Sequence, residues 1–198
     1  METIKKQKGT LDIYGIDGQK FVQIESIAHA LCEKYNYTFE ASELFHRGVG
    51  ETSDIVTKET YDFVDRGNRN ITLKPEGTAS VVRCFIENKM DNLPEQPTKF
   101  YYITPVFRYE RPQSGRFREH TQFGIEVLGS DGPSVDAEVI SLAVQFFNEL
   151  GLKNLSVNIN SVGCPKCREA YNKKLKEYLD KKTDVLCETC LERKDKNP

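Results

Sequence analysis

The sequence predicts an α+β fold: an antiparallel-rich sheet flanked by helices, followed by a short helical appendage that carries four cysteines. Three observations lead there. Neighbouring short stretches alternate apolar and polar residues across turn residues, longer stretches repeat apolar residues at helical spacing, and the paired cysteines occur only near the end. Strand pairs mixed with amphipathic helices suit a sheet with helices packed on one face. A chain of 198 residues with 38% hydrophobic content can bury a core. We therefore expect a domain over residues 1–160 and an appendage over 161–198.

From Gly18 to Tyr35, the residues Phe21, Ile24, Ile27, Ala28, Leu31 and Cys32 recur at steps of three, three, one, three and one, which lines one face of a helix. His29 and Cys32 read as structural. Tyr37 to Gly50 holds Phe39, Leu44 and Phe45 without strand alternation. Gly48-Val49-Gly50 lacks the third glycine, the Lys-Ser/Thr and the preceding strand that a phosphate loop needs. Tyr61–Val64 and Asn70–Leu73 predict a hairpin about Asp65-Arg66-Gly67-Asn68. After Pro75, Glu76 and Gly77, Thr78 is placed to cap a helix bearing Val81, Val82, Phe85 and Ile86. Two prolines mark 92–99 as a loop into a strand at Phe100–Ile103. Ser134 is placed to cap a helix carrying Val135, Val139, Leu142, Ala143, Phe146, Phe147 and Leu150, stopped by Gly151. Leu155, Val157 and Ile159 then alternate as a strand.

The chemistry concentrates in Phe107 to Leu128, which reads as two strands joined by a basic loop. In the first arm, period two places Arg108 and Glu110 on one face. In the second, Phe123, Ile125 and Val127 face a core, while Gln122, Gly124 and Glu126 share the side that can line a site. Pro112, Ser114 and Gly115 supply turn chemistry. Arg108, Arg111, Arg116 and Arg118 fall within eleven residues, and forked guanidiniums suit a polyanion such as a triphosphate or RNA. A solvated charged hairpin is the competing reading.

Net charge of −2 and a pI near 6.0 give no global attraction for nucleic acid, so RNA contacts must come from local patches. There is no apolar run long enough to span a membrane and no signal-like start, so we expect a soluble chain in the cytoplasm. Cys164 and Cys167 form one CxxC pair and Cys187 and Cys190 a second, with 19 residues between them. That spacing is a zinc pattern. Four reduced thiols, or disulfides formed only on oxidation, are the other readings. Tyr171, Leu175, Tyr178 and Leu179 give the intervening segment a helix of its own.

The run FRYERPQSGRFREHTQFGIEVLG resembles motif 2 of class II aminoacyl-tRNA synthetases, in the form found in the histidyl-tRNA synthetase family. LKPEGTA at Leu73 to Ala79 resembles that family's histidine-binding segment, and KGTLD at Lys8 to Asp12 its N-terminal signature. The resemblance runs from about Lys8 to the end and implies a class II synthetase-like core. Residues 161–198 would then begin an insertion domain. It further implies ATP-dependent activation of histidine to histidyl-adenylate, with magnesium on the triphosphate, and transfer to tRNA(His).

By the same resemblance, Glu76, Gly77 and Thr78 hold the α-amino group of histidine together with Gln122, and Glu126 faces the imidazole. Arg108 bridges the amino-acid carboxylate and the ATP α-phosphate, where a bidentate cation offsets the repulsion of two anions. Glu110 accepts from the adenine amino group and His120 stacks on the ring. Arg116 and Arg118 meet the outer phosphates or the acceptor end of the tRNA, and Arg111 and Gln113 at the loop tip are the better candidates for the tRNA. Read without the resemblance, Glu76 is an ordinary first-turn glutamate. Lys74 stands where the family commonly has arginine. Family members are homodimers built on motif 1, which looks shortened between Tyr37 and Glu40. The second histidine-binding motif and motif 3 are absent, so we expect an N-terminal portion holding half an active site. Two other classes compete: a histidine-binding regulatory paralogue without catalysis, and a zinc-pinned RNA-binding module.

Overall fold

Helix α1 covers Gly15–Lys34 in the computed structural model, which describes residues 5–40, 45–46, 59–161, 163–188, 190–191 and 194. Asp17 lies in its first turn and Lys34 in its last, complementing the helix dipole. Asn36 ends it in the left-handed region at φ 60°, and the Tyr37 N–H returns to the Cys32 carbonyl at 2.9 Å. Asparagine tolerates that conformation better than most residues. The buried face is Ala28, Leu31 and Cys32. Ile24 is more exposed than the helical pattern implies.

Six strands follow. The two-residue strand β1, Thr38–Phe39, pairs in parallel with β5, Thr98–Phe107, which pairs antiparallel along its full length with β6, Glu119–Leu128. In a second sheet, β2 (Phe45–His46) and β3 (Tyr61–Val64) flank β4 (Asn70–Leu73), all antiparallel. Two residues are too few to show alternation, which is why β1 leaves no trace in the sequence. Gly48-Val49-Gly50 lies outside the described residues. The strand expected to end at Ile103 continues through Pro105, which pairs with Thr121. Proline is tolerated there because β1 reaches only Phe100 and Tyr101, leaving a one-sided ladder farther along among the described strands.

Among the described residues, helices α2 (Thr78–Glu87) and α3 (Pro133–Glu149) also belong to the first compact unit, Met1–Asn154. Helices cover both faces of the β1-β5-β6 sheet, not one as expected. Tyr101, Phe123, Ile125 and Val127 pack with α1 and with Leu142 and Phe146 of α3. Phe100 and Tyr102, pointing the other way by period two, pack with Val81 and Phe85 of α2.

Neither proposed cap residue caps. Gly77 and Gly132 occupy the N-cap positions of α2 and α3, without side-chain cap bonds. Pro133 takes the first helical position, its preferred place, so Ser134 falls inside the helix. Ile86 is exposed rather than on the packed face.

The second unit, Leu155–Pro198, is built on α4, Pro165–Asp180. Leu155, Val157 and Ile159 are not in a strand: no strand pairs with them among the described residues, and all three are exposed. An isolated strand cannot satisfy its backbone against a ladder. No helix among the described residues is long and apolar enough to cross a membrane.

Candidate amino-acid and nucleotide site

The loop from β4 to α2 and the outer face of β6 meet over Tyr102. A Cβ built on Gly77 or on Gly124 would stand 2.2 Å from the Tyr102 ring, so each glycine is required by the same buried side chain. In the ladder, Gly124 lies directly opposite Tyr102. With that space filled, two bonds tie the two elements and a third joins Tyr102 to β6. The Gly77 N–H donates to Gln122 Oε1 at 2.9 Å, and the Thr78 hydroxyl donates to Glu126 Oε1 at 2.7 Å. The Tyr102 hydroxyl donates to the same Glu126 oxygen at 3.4 Å. Burial pushes the Tyr102 phenol up to about 12, so it remains a donor at neutral pH.

Gln122, Gly124 and Glu126 thus share the face that their alternation predicts, and Glu76, Gly77 and Thr78 are brought against it. Glu76 itself accepts the Ala79 N–H at 3.1 Å, the bond of a first-turn glutamate. Beneath them, Lys74 is buried and its ammonium donates to the Thr104 hydroxyl. The Lys74 carbonyl accepts the Phe107 N–H at 2.8 Å, fixing the loop to the end of β5.

Arg108 and Glu110 lie beyond the end of β5, although the first arm was expected to include them. The ladder survives in one bond, from the Arg108 N–H to the Arg118 carbonyl at 2.8 Å. The two side chains still meet: an Arg108 nitrogen is 3.9 Å from Glu110 Oε1, and an Arg116 nitrogen is 3.7 Å from Glu110 Oε2. Arg108 is held in place by donating from Nε to the Pro75 carbonyl at 2.9 Å, which leaves its terminal fork directed elsewhere. Arg108, Glu110, Gly115, Arg116, Phe117 and His120 line a cleft of about 320 Å³. Burial lowers the His120 pKa, and the Arg108 charge lowers it further, so the imidazole is neutral at pH 7.

Arg118 is not among those lining residues. Its Nε donates to the Glu110 carbonyl at 3.1 Å, and its guanidinium lies 4.5 Å over the Tyr109 ring. Tyr61 meets Tyr109 edge-on at 5.2 Å. Gly9, in the N-terminal signature, sits at φ 88° against the Arg118 stem, and its carbonyl accepts the Arg118 N–H at 2.8 Å. Arg111 and Gln113 are exposed at the loop tip, where Gln113 pairs with Arg116.

Sequence reasoning missed Tyr102, Thr104 and Tyr109. A signal existed for the first: a large residue facing a glycine across a hairpin, once the register is known.

Cys164 caps α4 and Cys167 lies one turn in, with sulfurs 3.4 Å apart. The Cys167 N–H donates to the Cys164 sulfur and holds that thiol below its usual range. The four cysteines do not converge. Helix α4, with 16 residues and a length of ~24 Å, separates the pairs along the chain, and no group of three or more His, Cys, Asp or Glu side chains comes together among the described residues.

Residues 37–193 match the family profile described as Histidyl-tRNA synthetase. The histidine–tRNA ligase of Clostridioides difficile is 59% identical over 98% of this chain and 47% of that protein, and that of Desulfitobacterium hafniense is 53% identical over 98% and 47%. The crystal structure of apo S. aureus histidyl-tRNA synthetase matches with a TM-score of 0.76 and 40% identity, covering 96% of this chain and 46% of that one. A solved ATP phosphoribosyltransferase regulatory subunit/histidyl-tRNA synthetase from Bacillus halodurans, 22% identical with a TM-score of 0.68, shares the fold. The chain spans about half the length of the curated relatives it matches.

Proposed function

This chain belongs to the histidyl-tRNA synthetase family, and from that premise we propose that it carries the histidine-binding and ATP α-phosphate-binding half of an amino-acid-activating site. The observation that supports this most is the joining of the β4–α2 loop to β6 through Gly77–Gln122 and Thr78–Glu126, beside the anchored guanidinium of Arg108. Glu76, Thr78 and Gln122 surround the α-amino group. Both bonds to Glu126 fall on Oε1, and its second oxygen accepts the imidazole N–H. A polar group placed for that ring N–H discriminates against apolar amino acids of similar size.

Arg108 bridges the histidine carboxylate and the α-phosphate. Because its Nε is spent on Pro75, the fork is pre-positioned and little reorganisation is needed as charge builds on phosphorus. The neutral His120 ring stacks on adenine, Glu110 accepts the adenine amino group, and Arg116 meets the outer phosphates. Arg118, tied to Glu110 and Tyr109, acts on ATP by shaping the loop. Arg111 and Gln113 meet tRNA(His). Magnesium arrives with the triphosphate. Glu110, the one carboxylate of the cleft lining, stands beside two guanidiniums, which is not a donor set for a hard cation.

Amino-acid-dependent ATP–pyrophosphate exchange, paired with calorimetric titration of histidine, tests this reading. Selective histidine binding with weak exchange is expected. Failure to bind either histidine or ATP overturns it. Histidine binding without any response to ATP would favour the regulatory reading instead.

A further inference from the structure

The proposed amino-acid site makes no use of the paired cysteines, and among the described residues no three of the four thiols are gathered at one point. What remains is a local arrangement at the start of α4. Cys164 is the N-cap and Cys167 the third helical residue, so both sulfurs project on the same side of the first turn. They are 3.4 Å apart, and both residues are exposed. Gly163, at φ 75°, brings the chain in so closely that a Cβ there would lie 3.3 Å from the Cys167 Cβ. Pro165 at the first helical position fixes the turn between the thiols.

We propose that Cys164 and Cys167 form a redox-active dithiol that exchanges with a low-molecular-weight disulfide to give an intramolecular disulfide. Cys164 is the attacking sulfur, because it is exposed at the helix start and the Cys167 N–H already points at it. Its thiolate attacks one sulfur of the small disulfide, forming a mixed disulfide and releasing one small thiolate. The Cys167 thiol gives up its proton and attacks the Cys164 sulfur, forming the internal bond and releasing the second small thiolate. The protein loses two electrons and two protons, and the small disulfide becomes two thiols. The two cysteines of the first unit, Cys32 and Cys84, are poor competitors. Cys32 is buried, with its thiol pushed up to about 12, and Cys84 is half-buried with its sulfur against Asn88.

The second pair shares one backbone feature with the first. Cys187 immediately precedes a helical turn, and its carbonyl accepts the Leu191 N–H at 3.0 Å, as the Cys164 carbonyl accepts the Arg168 N–H at 2.9 Å.

The test is to incubate the reduced chain with oxidised glutathione and map its cysteines by peptide mass spectrometry. Expected are loss of both thiols at positions 164 and 167, one internal crosslink between them, and an unmodified Cys32. Cys167→Ser should trap glutathione on Cys164, which a dithiol reductant then removes. Three results overturn the proposal: both thiols persist, either one crosslinks to Cys187 or Cys190, or the chain as purified holds zinc that a chelator must remove before the thiols react.

Discussion

The Thr78 hydroxyl donates to Glu126 Oε1 at 2.7 Å, joining the first residue of α2 to the C-terminal part of β6 across 48 positions of sequence. This contact holds together the two elements between which histidine is proposed to sit. Glu126→Gln keeps shape and an acceptor oxygen but removes the carboxylate. Losing a hydrogen bond to a charged group is worth ~1.5–3 kcal/mol, so histidine affinity should fall about 10- to 150-fold. Calorimetric titration checks this, with near-ultraviolet circular dichroism reporting an intact fold. Unchanged affinity would make Glu126 a structural tie only.

Much of this contact was legible in the sequence. Period two places Gln122, Gly124 and Glu126 on one face and Phe123, Ile125 and Val127 on the other, and the packing follows that division. What alternation cannot supply is register. The pairing of Tyr102 with Gly124 depends on the length of the loop between β5 and β6, and Arg108 to Glu110 leave the ladder sooner than their alternation suggests. Caps were misread for a related reason. Thr78 and Ser134 have capping chemistry, but tertiary partners and a neighbouring proline decide where the helices begin. The Leu155–Ile159 pattern describes a strand whose partner the described residues do not include.

Tyr102 is wedged between two backbones, which predicts an asymmetry between substitutions. Gly124→Ala forces a methyl into the space of a ring that has nowhere to go, and overpacking of this kind costs on the order of 1–3 kcal/mol. Tyr102→Phe keeps the ring and loses one long hydrogen bond, so its cost should stay at about 0.5–1.5 kcal/mol. Urea unfolding midpoints distinguish them. If Gly124→Ala is the milder of the two, the ring is not confined as described.

Gly9 connects the N-terminal signature to the basic loop. Its φ of 88° disfavours any side chain, and a Cβ would lie 2.7–2.9 Å from the Arg118 stem. Gly9→Ala should therefore cost about 1–2 kcal/mol in conformation alone, and should shift Arg118 off Tyr109. On the proposed function, ATP binding weakens with it, while histidine binding, anchored on Gln122 and Glu126, changes little. A nucleotide titration alongside the histidine titration reads this difference. Equal losses for both ligands would point to general unfolding.

His120 should leave a mark on stability as pH changes. Its pKa in the folded chain lies below the ordinary 6.5, first because burial penalises the imidazolium and second because Arg108 repels it. Between the lowered value and 6.5, the unfolded chain binds more protons than the folded one, so stability rises with pH across that window. The contribution is fully present above 6.5 and is lost as pH falls through the folded value. His120→Gln removes this titration without adding a charge. Urea midpoints measured over about pH 5 to 8 should therefore fall more steeply on acidification for the parent chain than for the variant. Parallel profiles would mean that His120 is as hydrated when folded as when unfolded, and the cleft would then lack the dry wall on which adenine is proposed to stack.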